Sequence, residues 1–162
     1  MGLTQAQLQT LKTDILADPT LSGYPNNDDG NLAIAQAYAL IPTPAFIVWR
    51  TQVFIEEIGN NFNGTELAGL TANNTTRLQT IAMYCTSGVD FSLPDRRQMF
   101  NDVFSGAGGQ ITRANLLTME QRSANRLEKL FATGSGTSAS PAVMTVQGTV
   151  SYQDVSTARN LP

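Results

Sequence analysis

The sequence predicts an all-α fold: a helical bundle of about five to six helices over residues 1–132, with an extended, partly β-prone C-terminal arm over 133–162. Three observations carry this. Apolar residues recur at helical spacing in one segment after another. Capping and breaking residues bound those segments. The composition then shifts to TGSGTSASP at Thr133–Pro141, a flexible Gly/Ser linker.

The elements follow in order. Thr4 is placed to cap a first helix whose apolar face is Leu8, Leu11 and Ile15. Asp18-Pro19 ends it, because the residue before proline avoids helical backbone. Tyr24–Gly30 is a turn cluster, and Asp28 or Asp29 caps a second helix to about Leu40, with Leu32, Ile34, Ala35, Tyr38 and Ile41 as its apolar set. Ala45–Trp49 reads as extended. Thr51 then opens a short helix with Val53, Phe54 and Ile58 on one face. Thr65–Leu70 is about one helical turn. A stronger helix begins at Asn73 or Asn74 and buries Leu78, Ile81, Met83, Tyr84 and Cys85. Pro94 starts the next at a position that suits proline, with Met99, Val103 and Phe104 as its stripe. Ser105–Gly109 is a break. The longest helix is expected from about Gln110 to Ala132, with Ile111, Ala114, Leu117, Ala124, Leu127 and Phe131 (or Leu130) on one face. Beyond the linker, Val143–Val146 is β-prone, and Ser151 with Asp154 matches a capping box for a last helix near Ala158.

Charged residues make up only 14% of the chain, and Asn, Gln, Ser and Thr fill the gap. Burying an amide or hydroxyl costs less than burying a charge, so this composition suits a surface that rests against other protein. The net charge of −3 does not suit phosphate gripping over a broad face. No apolar run approaches the ~20 residues of a membrane span. The start, MGLTQAQLQTLK, has no basic-then-apolar signal pattern. The single cysteine, Cys85, cannot form an internal disulfide, and folding in a reducing cytoplasm is expected.

The catalytic inventory is thin. The chain has no histidine, which removes the commonest general base and metal ligand. Cys85 reads as a small core hydrophobe. Glu56-Glu57 are neighbours that do not face each other on a helix, and Asp28-Asp29-Gly30 lacks the alternation and terminal Glu of a calcium loop. Gly106–Gly109 precedes a helix without the lysine of a phosphate loop. No catalytic, metal or cofactor site is therefore expected. The basic groupings are Arg96-Arg97 and the set Arg113, Arg122, Arg126 and Lys129, read as intersubunit or lumen charges beside Glu120 and Glu128. In the arm, Val143, Met144, Val146, Val150 and Tyr152 are the expected partner-binding residues, by strand addition to another protein.

The segments LTQAQLQTLKTDILAD, VWRTQV and TRANLLTMEQRSANRLEKLFATGSGTSASPAVMTVQGTVSYQDVSTA resemble small proteins encoded among the head and tail genes of tailed bacteriophages, the head-to-tail connector or adaptor family. The resemblance covers most of the chain, is patchy between about Ala68 and Arg97, and is most specific over the stretch from Ala132 to Val155. It implies a structural virion protein that forms a homo-oligomeric, dodecameric ring beneath the portal protein and joins capsid to tail. It implies docking by the C-terminal arm onto the portal or a neighbouring subunit, contact with tail or further connector proteins, and genome DNA passing through without specific binding. It implies neither enzyme activity nor cofactor, no membrane, and a place at the head–tail junction of a virion assembled in the host cytoplasm. Two other readings stand beside it: a tail-completion or head-decoration protein, and a phage DNA-binding or packaging accessory protein using the arginines of the 110–132 segment.

Overall fold

The computed structural model describes residues 2–162. Its elements run α1 (Gln5–Ala17), α2 (Pro19–Ser22), α3 (Asp28–Ala39), β1 (Ile47–Trp49), α4 (Ile55–Asn60), α5 (Gly64–Ala68), α6 (Ala72–Tyr84), α7 (Pro94–Val103), α8 (Gln110–Met119), β2 (Gln121–Ser123), α9 (Arg126–Leu130), β3 (Ala132–Thr133), β4 (Val143–Met144) and α10 (Tyr152–Arg159). A one-turn 3-10 helix at Ala107–Gly109 precedes α8. Strand β1 pairs with β2, and β3 with β4. The fold is mostly helical, as the apolar spacing predicts.

The chain forms two compact units. The first takes residues up to Phe46, then Ser123–Gly136 and Met144–Pro162. The second takes Ile47–Arg122 and Thr137–Val143. The expected division at 132/133 is thus not where the chain divides.

In the first unit, Thr4 caps α1 with a capping box closed by Gln7, and Leu8, Leu11 and Ile15 are buried. Asp18 ends α1 and its carboxylate caps α2, accepting from the N–H groups of Thr20 and Leu21. Asn27 caps α3. These faces meet Leu127 of α9 and Val150, Val155 and Ala158 of the last segment in one apolar core. Helix α10 packs on α1 and α3. Its capping box of Ser151 and Asp154 forms as the sequence predicts. Polar contacts hold this segment in place. Arg159 donates to the carbonyls of Tyr24 (2.8 Å) and Pro25 (2.9 Å) and to Asn31 Oδ1 (2.9 Å). Lys12 donates to the Leu161 carbonyl at 2.6 Å. The buried Glu128 accepts from the Gly148 N–H at 3.1 Å, and Asn125 donates to the Gly148 carbonyl at 2.8 Å.

The expected extended arm is therefore corrected over most of its length. Val150, Val155 and Ala158 are too apolar to leave in water once α1 and α3 present a matching face, and burying each stabilises the fold by roughly 1–3 kcal/mol. The strand-like run Val143–Met144 pairs with β3 of its own chain. The expected flexible linker is ordered too. Gly136, at φ +66°, lies so close to the Phe46 ring that a Cβ would sit 2.1 Å from it. Thr137 and Ser140 exchange backbone hydrogen bonds, and Ala142 pairs in parallel with Val48, which makes it an edge partner of β1.

The second unit has its own core: Val53, Ile58, Cys85, Val89, Phe91, Phe100, Leu116 and Met119. Phe91 and Phe100 pack with ring centroids 5.8 Å apart, and Phe62 and Phe104 at 5.0 Å. Cys85 is buried, as expected. Arg50 forks onto Glu57, with Nη2 2.9 Å from Oε2, and this holds the Glu57 carboxyl below its ordinary range. Helix α8 has no cap of its own. Glu66 supplies one, accepting from the N–H groups of Ile111 (2.9 Å) and Thr112 (2.7 Å). Burial works to raise the Glu66 carboxyl, but those N–H bonds prevail and hold it low.

Two further expectations change in this unit. The long helix from Gln110 to Ala132 is broken, because the backbone of Glu120–Ala124 is engaged elsewhere. Arg50 N–H bonds to the Glu120 carbonyl, and residues 121–123 form β2. Asn125 then caps a separate helix. In α6, no residue is buried; Leu78 and Ile81 are partly covered, while Met83 and Tyr84 stand exposed.

Glu120 itself is 5% exposed. Burial pushes its carboxyl up from 4.5 to about 7, and the Arg97 charge opposes this only in part. The unfolded chain ionises this group near its ordinary value and the folded chain only near 7. The stability tied to the neutral form is therefore full below about 4.5, is lost as pH rises to about 7, and stays lost above.

Removing residues 144–162 is expected to abolish cooperative unfolding of the first unit. The helical circular dichroism lost would exceed that of α10 alone. Leu127→Ala should cost about 2–5 kcal/mol in urea unfolding. Glu120→Gln should raise the melting temperature at pH 8 and remove the decline in stability between about pH 4.5 and 7, read by thermal scans across that range.

Candidate interaction surface

The first unit carries a charged knot beside an apolar groove. Tyr38 is fully buried and its hydroxyl donates to Asp14. Arg126 bridges Asp14 (3.0 Å) and Asp18 (2.8 Å) and lies over the Tyr38 ring, 4.9 Å from its centroid. Burial works against the Arg126 charge, but its bonds to Asp18 and Asp14 outweigh that and raise its pKa. The Arg126 bond in turn lowers Asp18, and burial followed by the Asp14 bond raises Tyr38. The knot fixes α9 against α1 and α3.

Next to it, Ala37, Leu40, Ile41, Pro42 and Leu130 line a groove of about 580 Å³, with Asp14, Arg126 and Lys129 at its edge. Leu40 is 66% exposed and Ile41 60%. Both lie past the end of α3, where Pro42 follows, so they have left the helical face that the spacing assigned to Ile41. Lys129 is exposed and lies 5.7 Å from the Phe46 ring centroid. In the second unit, Met83 and Tyr84, at 76% and 84% exposed, end α6. Both patches put apolar side chains in water, which is costly unless something covers them.

The expected arm residues separate. Met144 and Val150 are buried, Val146 is partly buried against the first core, and Val143 and Tyr152 are exposed. The expected charges separate as well. Arg113 donates to the carbonyls of Phe104 and Gly106, Arg122 lies in β2, and Arg126 sits in the knot. Lys129 is the member of this set that faces outward. Arg122, Arg126 and Lys129 do not share a helical face, because the helix that would align them is interrupted at β2. The patches at Leu40–Ile41 and Met83–Tyr84 were not identified from sequence. An α6 with four Asn and Thr residues among its first seven was the available signal that this helix sits at the surface.

Among the described residues, no group of three or more potential ligands that could hold a metal ion occurs, and no helix is long and apolar enough to cross a membrane. No family model, no curated protein and no solved structure matches the chain.

Arg126→Met is expected to lower the urea midpoint of the first unit at pH 7, since it leaves two carboxylates facing each other and Tyr38 without its cation. At pH 3, below the ordinary Asp18 value of 3.8, part of the stability that Arg126 lends to the charged Asp18 is lost, and the difference from wild type should shrink. Loss of the same size at both values would place the effect in packing rather than charge.

Proposed function

We propose that the chain is a structural virion protein: a head-to-tail adaptor that forms a homo-oligomeric ring beneath the portal and joins capsid to tail. The observation that carries this is the pair of exposed apolar patches, Leu40–Ile41 and Met83–Tyr84, on a chain with few charged residues. A protein built to assemble needs such surfaces, and a ring gives each subunit two unlike faces to cover. The sequence resemblance to tailed-phage connectors supplies the partners: portal protein, tail or further connector proteins, and copies of itself, a dodecamer by that resemblance. Genome DNA passes through the ring without specific binding, and the place of action is the head–tail junction of a virion assembled in the host cytoplasm. The role is assembly and not catalysis, with no cofactor.

Docking by the C-terminal segment is retained in altered form. Val143 and Tyr152 are exposed where the segment lies, so they meet the partner without unfolding it; Met144, Val146 and Val150 serve from beneath by fixing the surface. Tail completion or head decoration would use the same surfaces with a different neighbour.

Light scattering and electron microscopy of the protein alone and with the portal test this. Rings, or portal particles bearing an added layer, are expected. Leu40→Ser with Ile41→Ser, or Met83→Ser with Tyr84→Ser, should reduce assembly at least tenfold while leaving the circular dichroism spectrum intact. A monomer indifferent to the portal would refute the adaptor reading.

A further inference from the structure

The second unit contains a cleft of about 590 Å³. Trp49, Arg97, Asn101, Ser105, Arg113 and Glu120 are among its lining residues. The Arg97 guanidinium carbon lies over the Trp49 ring, 4.0 Å from its centroid, a cation–π pair. Arg97 spends one nitrogen on the Phe91 carbonyl. Arg113 spends one on the carbonyls of Phe104 and Gly106, leaving its other N–H groups unspent. Gly109 keeps this corner tight: a Cβ there would meet the Phe104 carbonyl at 2.0 Å.

Glu120 is the unusual member. It is 95% buried and feels the Arg97 charge, yet among the described residues no hydrogen bond or ion pair reaches its carboxylate. Its oxygens are nonetheless not sealed off, because no buried side-chain oxygen lacks a partner among the described residues. They open into the cleft. A buried carboxyl without a partner costs more than a paired one, so the site is built for something that supplies donors.

Charge narrows the class. The lining holds two arginines, Arg97 and Arg113, and two carboxylates, Asp102 and Glu120. A cation that pairs with Glu120 meets both arginines. An anion that pairs with Arg113 meets Glu120. An uncharged planar group that carries paired N–H donors beside a carbonyl satisfies both. Guanine has this edge, and bases stack well on arginine planes.

We propose that this cleft binds the lactam edge of a guanine base, with Glu120 accepting its paired N–H donors, Arg113 donating to its carbonyl, and the Arg97–Trp49 pair as its platform. The fit of donors to acceptors distinguishes guanine from adenine, whose corresponding edge offers a single amino group beside a ring acceptor. Because Glu120 titrates near neutrality, the base is held best once the carboxyl has lost its proton, and Arg97, Arg113 and Asp102 are the charged groups that share the cleft with it.

Trp49 is the sole tryptophan, so fluorescence of the full chain reports occupancy directly. At pH 8, guanosine is expected to give a saturable change, with adenosine at least tenfold weaker. Glu120→Gln should weaken guanosine at least tenfold while keeping the native circular dichroism spectrum and a melting temperature no lower than wild type. Affinity should fall as pH drops from 8 to 6. A short dT oligonucleotide with one central dG separates two sources of the same edge: tighter binding than guanosine assigns the site to single-stranded nucleic acid, weaker binding to a free nucleoside or nucleotide. Three results would overturn the proposal: no saturable change at several millimolar guanosine, undiminished binding by Glu120→Gln, or preference for inorganic phosphate or N-acetylarginine amide. None of these depends on ring formation, so failure here leaves the adaptor reading standing.

Discussion

The first unit depends on the closure of its core by α10. Val150, Val155 and Ala158 lie more than a hundred residues from the α1 and α3 faces they cover, so their contact closes a very long loop. That closure costs entropy, which grows only slowly with loop length. Apolar burial offsets the cost, and Arg159, Lys12 and Glu128 fix the register by taking up backbone groups that the turn regions would otherwise leave unpaired. Both the groove at Leu40–Ile41 and the charged knot around Arg126 sit on the scaffold that this closure completes.

The second unit solves a different problem. Its helices are short, and several lack strong caps of their own. Side chains from elsewhere stand in: Glu66 for α8, Arg50 for the end of the same helix, Arg113 for the turn after α7. Such borrowed caps tie distant segments together with charge-assisted bonds, which are stronger than neutral ones. Arg50, Arg77, Arg97 and Arg113 of this unit are each spent on a backbone carbonyl or a carboxylate.

Local signals were legible, and those that depend on distant partners were not. The Thr4 cap, the Ser151 capping box, the Pro94 start and the extended run before Trp49 all formed where the residues place them. Each involves neighbours within a few positions. The break at Gln121–Ser123 was hidden because Ile111, Ala114, Leu117, Ala124 and Leu127 keep helical spacing straight through it; what interrupts the helix is backbone pairing with a strand over seventy residues earlier. The C-terminal segment looked detachable because glycine and serine dominate Thr133–Ser140, and only the Phe46 ring against Gly136 and the pairing of Ala142 with Val48 reveal that those residues are packed. Of the surface and cleft residues, Val143 and Tyr152 were recognisable by composition. Ile41, Met83 and Tyr84 read as core, Leu40 only as the end of a helix, and Glu120 as an ion partner, because exposure is a property of what the rest of the chain covers.

The interleaving of the two units imposes an order on synthesis. Everything the second unit needs has been made once residue 143 has emerged, whereas the first must wait for residues 144–159. Until then Leu11 and Ile15 of α1 and Ile34 and Tyr38 of α3 lack the α10 face that completes their core, while every residue of the second unit has already been made. The groove at Leu40–Ile41 comes to stand on a finished unit only after that wait. A nascent chain is thereby kept from presenting its Leu40–Ile41 surface in final form before residues 144–159 have been made.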